Sequence, residues 1–192
     1  MESPLAATPL KTRLLTTCLV SILANDRDLS GRRLTAFAAL DTLEGLGIVT
    51  VHEACRLSRA ERALGNLEQQ LPDPVANVLL PCARRAVDAL RACQKGFYLS
   101  SRIGTDGVRV PSSGGDRTIP LAEAVSLYLR VLRNANHGFG GRNDSERKRD
   151  EILLMAHDGE IPADVALLPF LYWLATLADL EPLRRRLRKG HA

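Results

Sequence analysis

The chain has 192 residues, of which 45% are hydrophobic and 25% charged, and its formal net charge is +4. Those proportions are ordinary for a folded globular protein, and the charge is too mild to imply a nucleic-acid binder by itself. Aromatic residues make up only 4% of the chain, so aliphatic side chains and alanine must build the core, which favours helices over a β-sandwich.

The length suits a single domain over residues 1–192. Only four of the 26 basic residues are lysine. Arginine is the better bidentate phosphate ligand, although a GC-rich genome produces the same bias. The four cysteines, Cys18, Cys55, Cys82 and Cys93, form no C-x-x-C pair and sit mostly among apolar residues. They read as reduced core residues, and no zinc-ligand spacing is present. No metal or cofactor is expected. The apolar runs Leu14–Ala24 and Val165–Ala178 are too short to span a bilayer, and no secretory signal is visible. The expectation is a cytoplasmic protein without a membrane partner.

In chain order, Thr8-Pro9 opens a first helix that ends near Asn25. A second helix starts about Ser30-Gly31 and ends around Gly45-Leu46-Gly47. Ile48–Val51 is β-branched and reads either as a short strand or as an extended connector. Glu53–Gln70 gives a third helix, closed by Leu71-Pro72-Asp73-Pro74. Val75–Gln94 gives a fourth, which Pro81 should kink or delay. Residues 96–118 differ from the rest. Thr105-Asp106-Gly107 between two β-prone runs signals a hairpin, and Pro111–Gly115 reads as a flexible loop. Such an insertion would either position a substrate or decorate the surface. Leu121 to His137 is an amphipathic helix that stops at Gly138. Asn143-Asp144-Ser145 caps a helix through Ala156, and His157–Glu160 is a turn. The last helix, past Asp164, is apolar nearly all round and must pack centrally. Residues 183–192 form a basic tail. The fold class is all-α, a helical bundle of about six or seven helices with a small β-hairpin insertion.

The helix from Leu121 carries two stripes. Leu121, Val125, Tyr128, Leu129 and Leu132 make an apolar face. Ser126, Arg130, Arg133 and His137 share a second stripe, expected roughly opposite the first. A histidine beside two arginines at a helix end can handle an anion or cleave a phosphodiester. It is equally a common arrangement on a solvated helix face, where imidazolium interacts well with the helix dipole.

The segment Leu132-Arg133-Asn134-Ala135-Asn136-His137-Gly138 resembles the R-(x4–6)-H signature of HEPN domains. These are α-helical modules, and many are metal-independent ribonucleases of toxin–antitoxin, antiviral and RNA-processing systems. The family places a polar residue, often Asn, after the arginine, and Arg133-Asn134 matches that. Arg133 to His137 leaves three intervening residues, one short of the family range. Arg130 to His137 leaves six, within range, but Val131 follows it. Which arginine pairs with His137 is therefore open.

The resemblance implies an endoribonuclease acting on RNA. His137 would move the 2′-hydroxyl or leaving-group proton, and Arg133, or Arg130, would stabilise charge on the phosphorus oxygens. Asn134 would orient His137 or a phosphate oxygen. The resemblance also implies a homodimer with these residues near the two-fold axis, and an antitoxin or other partner protein. A non-catalytic HEPN-like module that binds RNA or protein, and an unrelated helical scaffold, are the competing readings. Outside this stretch, His157-Asp158 reads as an acid–base pair or a turn, and His52-Glu53 has no obvious partner in the sequence. No nucleotide-binding loop, nucleophile elbow or H-E-x-x-H motif is present.

Overall fold

A computed structural model describes residues 9–24, 28–71, 73–97, 103–104, 107–112, 114–135 and 143–179. The helices are α1 (Pro9–Ala24), α2 (Leu29–Gly45), α3 (Val51–Ala54), α4 (Leu57–Gln70) and α5 (Asp73–Gly96), followed by α6 (Leu121–Ala135), α7 (Asp144–Ala156) and α8 (Leu168–Ala178). Three short strands, β1 (Ile103–Gly104), β2 (Gly107–Ser112) and β3 (Gly115–Ile119), lie between α5 and α6. The fold is all-α with a small β insertion.

Local sequence explains most boundaries. Asp28 caps α2 by accepting from the Gly31 amide. The same helix ends in a Schellman turn. Gly47 takes a left-handed φ of 70°, the Gly47 amide donates to Glu44 and the Ile48 amide donates to Leu43. Asn143 caps α7 by accepting from the Glu146 amide at 2.9 Å, as the Asn-Asp-Ser run implies.

Four elements differ in detail from expectation. Of the two readings of Ile48–Val51, strand or connector, the structure gives the connector, which opens α3, and the expected third helix is two helices, with Arg56 in extended backbone between them. Helix α5 starts at Asp73 and runs through Pro81, so of the two expected effects, a kink or a delayed start, the proline does not produce the delay. The expected hairpin insertion is present and is extended by a third strand into an antiparallel sheet. β1 pairs Ile103 and Gly104 with Val108 and Gly107, and the longer ladder pairs β2 with β3 across the segment read as a loop. Alternation explains it: Val108 and Val110 of β2 are buried while Arg109 between them is exposed. Finally, the last apolar segment begins as a 3-10 turn, Ala163–Leu167, before α8.

One apolar cluster joins α1, α2, α5, α6 and α8, with Leu15, Leu43, Leu90, Leu129 and Leu171 all at 1% exposure or less. Asp164 fastens the 3-10 turn to α5, accepting from Arg85 Nε at 3.0 Å and Nη2 at 2.7 Å. As expected, α8 is central, with Leu168, Leu171 and Tyr172 buried. Among the described residues no helix is long and apolar enough to cross a membrane.

Candidate functional site

Helix α6 positions the predicted stripe, but that stripe does not face solvent. Ser126 is fully buried, and Arg130, Arg133 and Asn134 are half-buried. The apolar face forms as expected, with Leu121, Val125, Tyr128 and Leu129 buried and Leu132 partly so. Of the two readings left open for this stripe, a solvated face does not hold at Ser126 and Arg133, which meet polar partners on α3 and α2.

Arg133 meets Asp41 of α2. Its Nη2 donates to both carboxylate oxygens, at 2.6 and 2.7 Å. Its Nε is buried without a hydrogen-bond partner. Arg130 has no ion pair or hydrogen bond among the described residues. Asn134 lies half-buried beside Arg133. His137 and the glycines after it lie outside the described residues, as does the basic tail from Leu183. The structure thus brings Arg130, Arg133 and Asn134 onto one end of α6, and it separates the two arginines by what they touch.

The residue that sequence reasoning passed over is His52. It sits in the one-turn helix α3, and its partners are distant in the chain. Ser126 Oγ lies 2.8 Å from His52 Nδ1 and 3.1 Å from the His52 carbonyl oxygen. Arg56 Nη2 lies 2.9 Å from His52 Nε2. These contacts fix the protons. A guanidinium only donates, so Nε2 must accept and carry no hydrogen. The ring is then neutral with its proton on Nδ1, which donates to Ser126 Oγ. The Ser126 hydroxyl donates in turn to the His52 carbonyl. Burial pushes the His52 pKa down, and the charges of Arg56 and Arg130 push it further, with Glu53 and Glu123 opposing. A local signal for this helix does exist. Thr50-Val51-His52-Glu53 has the spacing of a capping box, and Thr50 Oγ1 accepts from the Glu53 amide at 3.1 Å.

The Ser126–His52 pair is no nucleophile–base pair. The serine is enclosed, and its hydroxyl proton is committed to a carbonyl rather than to the ring. The pair locks α3 onto α6, and Arg130, one turn along α6 from Ser126, has no carboxylate partner among the described residues.

The other described histidine, His157, is structural. Its Nε2 donates to the Cys93 carbonyl at 3.1 Å. Its ring stacks on Tyr128 at 4.2 Å and meets Phe97 edge-on at 4.9 Å. Burial lowers its pKa, partly opposed by the Cys93 and Gly159 backbone and the Asp158 charge. The geometry gives His157 a packing role rather than that of an acid–base element, and its backbone is extended where the sequence suggests a turn. The four cysteines are free thiols, and burial pushes Cys55 and Cys93 up to about 12, so neither is reactive. Among the described residues no three His, Cys, Asp or Glu side chains converge as metal ligands.

Compared with protein-family models, curated proteins and solved structures, the chain matches none.

Proposed function

We propose that the protein is an HEPN-like, metal-independent endoribonuclease in which Arg130, rather than Arg133, works with His137. The observation that carries this is the unequal fate of the two arginines. Asp41 holds Arg133 through both carboxylate oxygens, whereas no carboxylate among the described residues holds Arg130 at the same end of the helix. Arg130 is also the arginine at six-residue spacing from His137, which fits the HEPN signature. Arg133 and Asn134 then have supporting roles, Arg133 by fixing the end of α6 against α2.

The chemistry needs no protein nucleophile. His137 takes the proton of the ribose 2′-hydroxyl, whose oxygen attacks the adjacent phosphorus. Arg130 stabilises the extra negative charge on the phosphorus oxygens. The bond from phosphorus to the 5′-oxygen breaks, that oxygen takes a proton from water, and the products are a 2′,3′-cyclic phosphate and a 5′-hydroxyl end. The HEPN resemblance adds a homodimer with the pair near its axis, a cytoplasmic setting, and a toxin or defence role with a cognate antitoxin or partner protein.

The test is cleavage of labelled structured RNA in EDTA. The expected result is cyclic-phosphate ends, a loss of about 100-fold or more in His137→Ala, and a similar loss in Arg130→Gln. Arg133→Gln should lose much less. Cleavage that survives His137→Ala would sink the reading. RNA binding without cleavage would instead assign the non-catalytic module.

A further inference from the structure

We propose that the exposed face of α1 is the surface through which two copies of this chain associate, antiparallel about a two-fold axis near Val20. The HEPN-like reading above includes a homodimer but assigns it no surface. This surface follows from the side chains of α1 and does not depend on RNA cleavage.

Helix α1 is apolar on more sides than its neighbours cover. Leu15, Leu19 and Ile22 are buried, and the helix packs mainly on α2, with a lesser contact to the 3-10 turn. Leu14, Val20 and Leu23, on its other sides, are 51%, 60% and 41% exposed. No charged residue lies between Leu14 and Ala24, and the polar positions exposed there are Thr16, Thr17 and Ser21. Eight large apolar side chains are exposed among the described residues, and five of them, Leu14, Val20, Leu23, Leu29 and Leu34, lie on α1 and the start of α2. A surface this apolar and this poor in charge matches the centre of an interface rather than open surface. The short threonine and serine side chains let a second helix come close. An open hollow of about 430 Å³ beside Arg13, Thr16, Thr17 and Val20 leaves room for its side chains.

Charge selects a second copy as the occupant. Lys11 and Arg13 stand exposed at the N-terminal end of the face, and Asp28 stands exposed just past its C-terminal end. A strip that is positive at one end and negative at the other is its own complement once reversed. A two-fold axis near Val20 lays that valine against its copy. It also brings Arg13 towards the partner's Asp28, since the two positions lie about equally far from the axis along the chain. Antiparallel helices oppose their dipoles favourably as well. Size sets the strength. A helix of this length spans about 24 Å and offers roughly 400–500 Å² per copy, below the ~800 Å² of a standard interface. Leu29 and Leu34 of α2 extend it. The dimer is therefore a weak one, dissociating in the micromolar range.

The experiment is sedimentation velocity on the full chain across a dilution series through the micromolar range. The expected result is a reversible monomer–dimer equilibrium. Val20→Glu should weaken it about tenfold or more, because two carboxylates then face each other across the axis. Arg13→Glu should weaken it in the same direction. Both positions are exposed, so thermal melts of these variants at the lowest concentration should match wild type. Val20→Cys should cross-link to its copy on mild oxidation, whereas Met155→Cys, as exposed on α7, should not. A monomer at every concentration overturns the proposal and means that another part of the chain, or a different protein, covers α1. A dimer that Val20→Glu leaves intact overturns it in favour of another surface. The two ideas fail separately. RNA cleavage by a wild-type chain that stays monomeric removes this surface and leaves the nuclease; a dimer that depends on Val20 but cleaves nothing does the reverse.

Discussion

Ser126 makes two contacts that end on the same residue, the ring and the carbonyl of His52. Removing its hydroxyl leaves two polar atoms short of partners inside the protein. Ser126→Ala should therefore destabilise the fold by about 1–3 kcal/mol, read as a lower urea midpoint with an unchanged slope. An unchanged midpoint would mean that water replaces the hydroxyl and that α3 is not held this way. A second residue-scale case is Gly96. A Cβ there would run into the His157 ring, which is itself packed between Tyr128 and Phe97 and cannot retreat. Gly96→Ala should cost about 1–3 kcal/mol by overpacking, despite alanine's better helix propensity. A neutral or stabilising result in the same urea experiment would show that the ring moves aside. The sequence displays Ser126 on the correct stripe of α6 but not its partner. His52 lies 74 residues away, and nothing in helical periodicity links the two. The same limit applies to Arg133 and Asp41, 92 residues apart. Which arginine of the stripe is neutralised depends on a tertiary contact.

At the scale of elements, α3 is four residues long and cannot be stable by itself. It persists because neighbours supply what a short helix lacks. Glu44 accepts from the Val51 amide, Ser126 donates to the His52 carbonyl, and Tyr172 of α8 donates to the Ala54 carbonyl at 2.9 Å. Tyr172→Phe keeps the ring and removes only that last bond, so it should cost about 1–2 kcal/mol. Amide exchange should also speed up at Ala54 and Cys55, before it does in α5. If protection in α3 were unaffected, the tyrosine would not be one of its anchors. This helix is where the sequence reading was weakest. Ile48–Val51 is β-branched and leaves strand and connector open, and propensity has little authority over four residues that tertiary bonds hold in place. Longer elements were legible because their signals repeat. The apolar period of α6, the cap of α7 and the glycine stop of α2 each rest on residues close together in the chain. The β2–β3 ladder was missed because β3, Gly-Asp-Arg-Thr-Ile, is exposed at all but its last residue and carries no alternation to read.

For the whole molecule, the two described histidines give the same dependence on pH. Both are held neutral in the fold, His52 by burial and two arginines, His157 by burial against the aromatic rings. In the unfolded chain each titrates near the ordinary value of about 6.5. A base whose folded pKa lies below its unfolded pKa favours unfolding wherever the unfolded chain holds the extra proton. Stability is thus full above about pH 6.5 and declines as the pH falls from there towards the lowered folded values. The urea midpoint should be lower at pH 5 than at pH 7.5, before most carboxylates take up protons. His52→Gln should flatten part of that decline, since glutamine cannot charge against Arg56 and Arg130. A midpoint that rose on acidification over this range would reverse the sign and mean that His52 is already an imidazolium in the fold. The bond from Arg56 to Nε2 would then have to be absent. Stability against pH, measured on the unliganded chain, therefore tests the proton assignment at His52 independently of any RNA.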